Sequence, residues 1–115
     1  MNTENGTQVV TPIASGEVEG ILADQAANLF RGAEGVGGRL KLTTRRLLFE
    51  PHAINIQRNP LEISVGDIAE VRKRNTMGLI PNGVLVRTKG GVEYKFVVWG
   101  RDKLIRLIQA RIQPV

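Results

Sequence analysis

Apolar and polar residues alternate in short runs through most of this chain, and only the C-terminal stretch changes period. The clearest run is Gly38-Arg39-Leu40-Lys41-Leu42-Thr43-Thr44-Arg45-Arg46-Leu47-Leu48-Phe49. A period of two reads as half-buried strand, and the polar Thr-Thr-Arg break reads as a reversal of direction. The pattern predicts a tight hairpin over 39–50 with Leu40, Leu42, Leu47 and Phe49 facing inward. Arg39, Lys41, Arg45 and Arg46 then lie on the outer face or in the turn. Pro51 ends the second strand, because proline cannot donate to a ladder.

Further strands follow. Leu61, Ile63 and Val65 alternate with polar neighbours, Gly66-Asp67 turns the chain, and residues 68–73 form another β-rich stretch ending in Arg72-Lys73-Arg74. Residues 75–83 hold two glycines, two asparagines and a proline, which predicts a loop. Residues 84–89 and 92–99 form a hairpin about Gly90-Gly91, with Tyr94, Phe96 and Val98 on one face; Trp99 is assigned with Phe49, Tyr94 and Phe96 to the core or to a helix contact. Beyond Gly100 the apolar spacing becomes Leu104, Leu107, Ile108, Ile112, with Ile105 widening the face, so the chain closes on an amphipathic helix opened by Asp102 and stopped by Pro114.

The N-terminal third is less plain. Residues 1–20 read as a flexible or loosely docked segment, with Val9, Val10 and Ile13 available for a short added strand, and 21–115 as a single domain. Residues 21–31 have helical propensity, with Asp24 as a cap and Leu22, Ala26, Leu29 and Phe30 on one face. Four glycines in the seven residues 32–38 predict a flexible loop. That loop lacks the Gly-Lys-Ser/Thr ending of a phosphate-cradling loop, and a strand follows it rather than a helix. Residues 52–60 are a connection with a strand-like middle at 54–57.

Three motifs resemble those of GRAM domains, in the pleckstrin-homology-like superfamily: Gly38-x-Leu40-x-Leu42-Thr43-x-x-Arg46-Leu47-x-Phe49, then Pro60-Leu61-x-x-x-Val65-x-Asp67-Ile68-x-x-Val71, then Gly91-x-x-Tyr94-x-Phe96. The resemblance spans about 26–112. It implies a mainly β fold with one C-terminal α-helix: a partly open barrel of two antiparallel sheets capped by the helix. It also makes the segment before the hairpin the first strand, assigned to 26–32, and the local helical propensity leaves a short helical turn near 21–24. In phosphoinositide-binding relatives a basic residue late in the first strand and a basic-x-basic pair in the second grip phosphates. Arg31, Arg39 and Lys41 are similar to that set, with a shorter gap and a lysine where arginine is usual.

Charge sharpens this reading. Residues 1–37 carry one basic and five acidic residues, net −4, and 38–115 carry fifteen and six, net +9. A basic body suits an anionic partner. Arg72, Lys73 and Arg74 directly precede Met77, Leu79 and Ile80, a combination that suits an anionic membrane surface or an interface with a protein partner or a second copy. Nucleic acid is disfavoured, since only five aromatics exist and base stacking needs exposed ones. The chain has no cysteine and a single histidine, His52, so thiol chemistry is excluded and a metal set is not apparent. His52 reads as a loop residue bonded to backbone, and Glu62, Asp67 and Glu70 as strand-face or turn carboxylates. No run approaches the roughly 20 apolar residues of a membrane span, and the lack of disulfide staples favours a reducing cytoplasm. The expectation is a non-enzymatic adaptor without cofactor, cytoplasmic or peripheral to a membrane. Its ligand-binding residues would be Arg31, Arg39, Lys41, Arg72, Lys73 and Arg74, with Met77, Leu79 and Ile80 as membrane or partner contacts.

Overall fold

The 39–50 hairpin forms as its alternation requires. In the computed structural model, which describes residues 18–52, 59–76 and 78–112, Leu40 pairs with Phe49 and Leu42 with Leu47, and all four side chains are buried. They belong to strands β2 (Glu34–Thr43) and β3 (Arg46–Pro51). The other elements are β1 (Ile21–Arg31), β4 (Leu61–Ser64), β5 (Ile68–Thr76), β6 (Ile80–Thr88), β7 (Glu93–Val98) and helix α1 (Arg101–Arg111). The strands lie in the order β4-β3-β2-β1-β7-β6-β5, each antiparallel to its neighbours. The short β1–β7 ladder, from Ala27↔Val98 to Phe30↔Lys95, joins the two halves of this curled sheet.

Register separates the faces. Leu29, Phe96, Val84 and Lys73 lie on one inner row, and Phe30, Lys95, Leu85 and Arg72 on the adjacent outer row. Across the core Phe49 meets Phe96, ring centroids 6.1 Å apart and tilted by 52°, a contact worth roughly 0.5–1.5 kcal/mol beyond area burial. Helix α1 packs on β5 and β6 and buries Leu104, Ile105 and Ile108, at about 1.5–3 kcal/mol each before entropy. Its ends are tied down. Arg101 bonds the β5–β6 hairpin, and Arg111 Nη2 donates to the Thr44 carbonyl in the β2–β3 turn at 3.2 Å.

Several local expectations change. Residues 21–24 are strand, not a helical turn, because β1 pairs with β2 from Ile21 onward. The glycine-rich stretch is also strand. Only Gly32-Ala33 turns, and β2 starts at Glu34. Its glycines allow close approach: a Cβ on Gly38 would lie 2.3 Å from the Glu50 carbonyl oxygen. Val65 leaves the ladder for a 3₁₀ turn, Val65–Asp67. The 75–83 loop is instead a tight hairpin: Thr76 pairs with Ile80, and the Leu79 N–H donates to the Thr76 carbonyl at 3.0 Å. Gly83, 2.0 Å in virtual Cβ distance from the Arg74 carbonyl oxygen, lets the two strands close together. The proposed strands at 9–13 and 54–57 lie outside the described residues.

Candidate functional site

The six basic residues do not form one cluster. Arg31 ends β1, where its Nη2 donates to the Asn59 carbonyl at 2.6 Å. Because the β1–β2 turn is only two residues, Arg39 lies five rungs down β2 from Arg31's partner Glu34, on the order of 16 Å at 3.3 Å per residue. Arg39 is held by Asp24 at 2.9 Å, and Lys41, nearly buried, by Glu50 at 3.1 Å. Strand β5 is four strands away from β2, about 19 Å along the sheet.

The run Arg72-Lys73-Arg74 is divided by the pleat. Arg72 and Arg74 share the outer face with Leu85 and Gly83. Lys73 turns to the helix side and pairs with Asp102 at 3.1 Å. Arg72 has a loose partner in Glu70 at 3.6 Å, which is engaged more closely by Arg87 at 2.9 Å. Arg74 has no ion pair among the described residues. It lines an outer-face cleft of about 540 Å³ with Phe30, Gly32, Ala33, Thr76, Leu85, Glu93 and Lys95. The Lys95 ammonium stands 5.0 Å from the centre of the Phe30 ring.

Just beyond Arg74 the β5–β6 hairpin projects Leu79, 83% exposed, and Ile80, 50% exposed. Met77 lies outside the described residues. The hairpin base is braced: Thr76 Oγ1 donates to Asn82 Oδ1 at 2.6 Å, and Arg101 Nη1 donates to Asn75 Oδ1 at 3.2 Å and to the Gly83 carbonyl at 3.3 Å. The apolar pair therefore stands above a braced base, five and six residues along the chain from the outward Arg74.

Two placements depart from expectation. Arg46 is buried, not a turn or surface charge. Its guanidinium binds Glu19 at 2.8 Å and Glu62 at 2.9 Å, and Thr43 Oγ1 also donates to Glu19 at 2.6 Å. The Glu19 carboxyl is held below its ordinary range, chiefly by the Arg46 hydrogen bond. Residues 18–20 thus dock on the β2–β3 turn through Glu19; residues 1–17 lie outside the described residues. Trp99 is 89% exposed rather than in the core. Its signal was in the alternation: Tyr94, Phe96 and Val98 point inward, so the next residue falls on the opposite face. His52 is exposed, and its main-chain N–H donates to the Gly37 carbonyl at 3.0 Å. Among the described residues no group of three or more His, Cys, Asp or Glu is placed to hold a metal ion, and no helix is long and apolar enough to cross a membrane.

A curled antiparallel sheet capped by one C-terminal helix is the pleckstrin-homology-like fold. Solved structures share it: the C-terminal domain of an unknown protein from Leishmania infantum (TM-score 0.72, 16% identity, covering 84% of this chain and 86% of that one), and the Vps36 N-terminal PH domain (0.67, 17%, 89% and 83%). A third is the Slm1-PH domain in complex with inositol-4-phosphate (0.57, 10%, 81% and 94%). At these identities the likeness is one of fold. Comparison with curated proteins yields no sequence match. The GRAM domain model matches residues 11–114, and the chain belongs to that family.

Proposed function

We propose that this chain is a non-enzymatic binding module that associates reversibly with anionic membrane lipid. Leu79 and Ile80 enter the bilayer interface, and Arg72 and Arg74 meet headgroups beside them. The observation that carries this reading is the pair of exposed aliphatic side chains on a hairpin with a braced base, a few residues past two outward guanidiniums. Arg31, bonded to a neutral carbonyl, and the net charge of +5 supply the positive field that brings the molecule to the surface, whereas Arg39, Lys41 and Lys73 are each paired with a carboxylate. The Slm1-PH domain, a fold neighbour, has been solved with inositol-4-phosphate and with phosphoserine, which fits a headgroup ligand.

The magnitudes suit a peripheral contact. Two aliphatic side chains buried by about half supply on the order of 2–3 kcal/mol. Two arginines near an anionic surface add roughly 1 kcal/mol each. A sum of about 5 kcal/mol corresponds to a sub-millimolar, reversible interaction. Co-sedimentation with phosphatidylcholine vesicles, with and without phosphatidylserine, tests the reading. Binding is expected only to the anionic vesicles, weakened in Arg72→Gln/Arg74→Gln and by salt. Equal binding to both vesicle types, or to neither, would reject it.

The second reading is a protein interface. β5 is a terminal strand of the sheet and offers a free edge, yet three consecutive cations on that edge oppose strand addition by a like copy. An apolar protein contact would persist at high salt, where the lipid attraction fades.

A further inference from the structure

We infer that Trp99 is a second bilayer contact, set beside the Leu79–Ile80 tip, and that Arg101 is the positioning residue that fixes one relative to the other. This rests on the membrane reading above and names a part of the surface that the basic residues did not reveal.

Trp99 is the only tryptophan in the chain, and its side chain is almost wholly in solvent. Its backbone is nonetheless held: Gln25 Nε2 donates to the Trp99 carbonyl at 2.7 Å. It lines a cleft of about 350 Å³ with Asn82 of β6, which brings it beside the base of the hairpin, two residues from Ile80. Arg101 follows it by two residues and donates to Asn75 Oδ1 on β5 and to the Gly83 carbonyl on β6. The segment that carries the indole is therefore fastened to both strands that carry the tip.

The surroundings favour a bilayer as the occupant. Asp24 and Asp102 are each occupied by a cation, Arg39 and Lys73, whereas Arg74 and Lys103 have no ion pair among the described residues. A second copy would bring like charge, with net +5 per chain, against the same face. An indole has an apolar body and one N–H donor, which suits the boundary between headgroups and acyl chains.

The test uses the intact chain with phosphatidylcholine vesicles containing phosphatidylserine, reading sedimentation and indole fluorescence on the same samples. The expected result is a blue shift on binding and quenching by lipids brominated on the acyl chain. Trp99→Ala should bind roughly tenfold more weakly with unchanged thermal stability. Arg101→Gln should weaken wild-type binding but add less to the loss already caused by Trp99→Ala, because the placement of indole against tip that Arg101 fixes no longer matters once the indole is gone. Sedimentation with an unquenched indole and full binding by Trp99→Ala would overturn the inference and leave the membrane reading standing. A blue shift on raising protein concentration without vesicles would overturn it in favour of self-association. Failure to sediment at all would remove both.

Discussion

Glu19 reaches Arg46 across 27 positions of sequence, and both side chains are at least nine-tenths buried. Removing one member of such a pair strands the other, so Arg46→Ala should destabilise the fold by about 3 kcal/mol in denaturant titrations. The sign with pH follows from the Glu19 carboxyl lying below its ordinary value near 4.5. Its contribution is complete above that value and is lost as pH falls through the lower folded-state value. Wild type should therefore lose stability below about pH 4.5 more steeply than Glu19→Gln. At Gly38 an added Cβ would meet the Glu50 backbone 2.3 Å away, which cannot yield without opening the β2–β3 ladder. Gly38→Ala should cost about 3 kcal/mol in the same titration, the upper end of the overpacking range. None of this was legible from residue type: a glycine run reads as a loop by composition, and an arginine in an alternating strand reads as solvated. What decided both was which backbone or carboxylate arrives from elsewhere in the chain.

Elements were easier to read than their ends. The 39–50 hairpin and the terminal helix followed from period, because burial on one side enforces alternation in a strand and a three-to-four spacing in a helix, and the Gly90-Gly91 turn followed from its glycine pair. Residues 21–31 did not, because Leu22, Ala26, Leu29 and Phe30 share a helical face with Asp24 as its cap, and only pairing with β2 makes the segment a strand. Residues 75–83 misled for a related reason. Pro81, Asn82 and Gly83 look like loop chemistry, yet they sit at the start of strand β6, beside a register shift at Arg74/Thr76. Within α1, Ile108 is fully buried, so Ile108→Ala should cost about 2–5 kcal/mol. The tip is the opposite case. Leu79→Ser/Ile80→Ser should leave the melting temperature unchanged and abolish vesicle binding. A variant that melts early would show instead that the tip packs on the protein.

At the scale of the whole molecule, helix α1 is fastened at its start to the β5–β6 hairpin and at its end to the β2–β3 turn, so it spans the open end of the sheet. The sequence showed that the body is basic, but not how the cations are distributed. Folding neutralises Arg39, Lys41, Lys73 and Arg87 against carboxylates and leaves Arg74 outward beside an apolar projection. Net charge still steers the approach, so vesicle binding should fall continuously as salt rises through the physiological range, where the Debye length is about 8 Å. Trp99 escaped a reading in which aromatics are assumed to be core, although the strand alternation had already turned it outward.

Membrane association through the hairpin tip can be read from the depth to which the tip is immersed. The chain has no cysteine, so Leu79→Cys carries a single nitroxide label. On anionic vesicles this label should collide more with oxygen dissolved in the hydrocarbon than with a water-soluble nickel chelate, placing it below the phosphates. A bound protein whose label remains in water would show that the tip does not enter the bilayer.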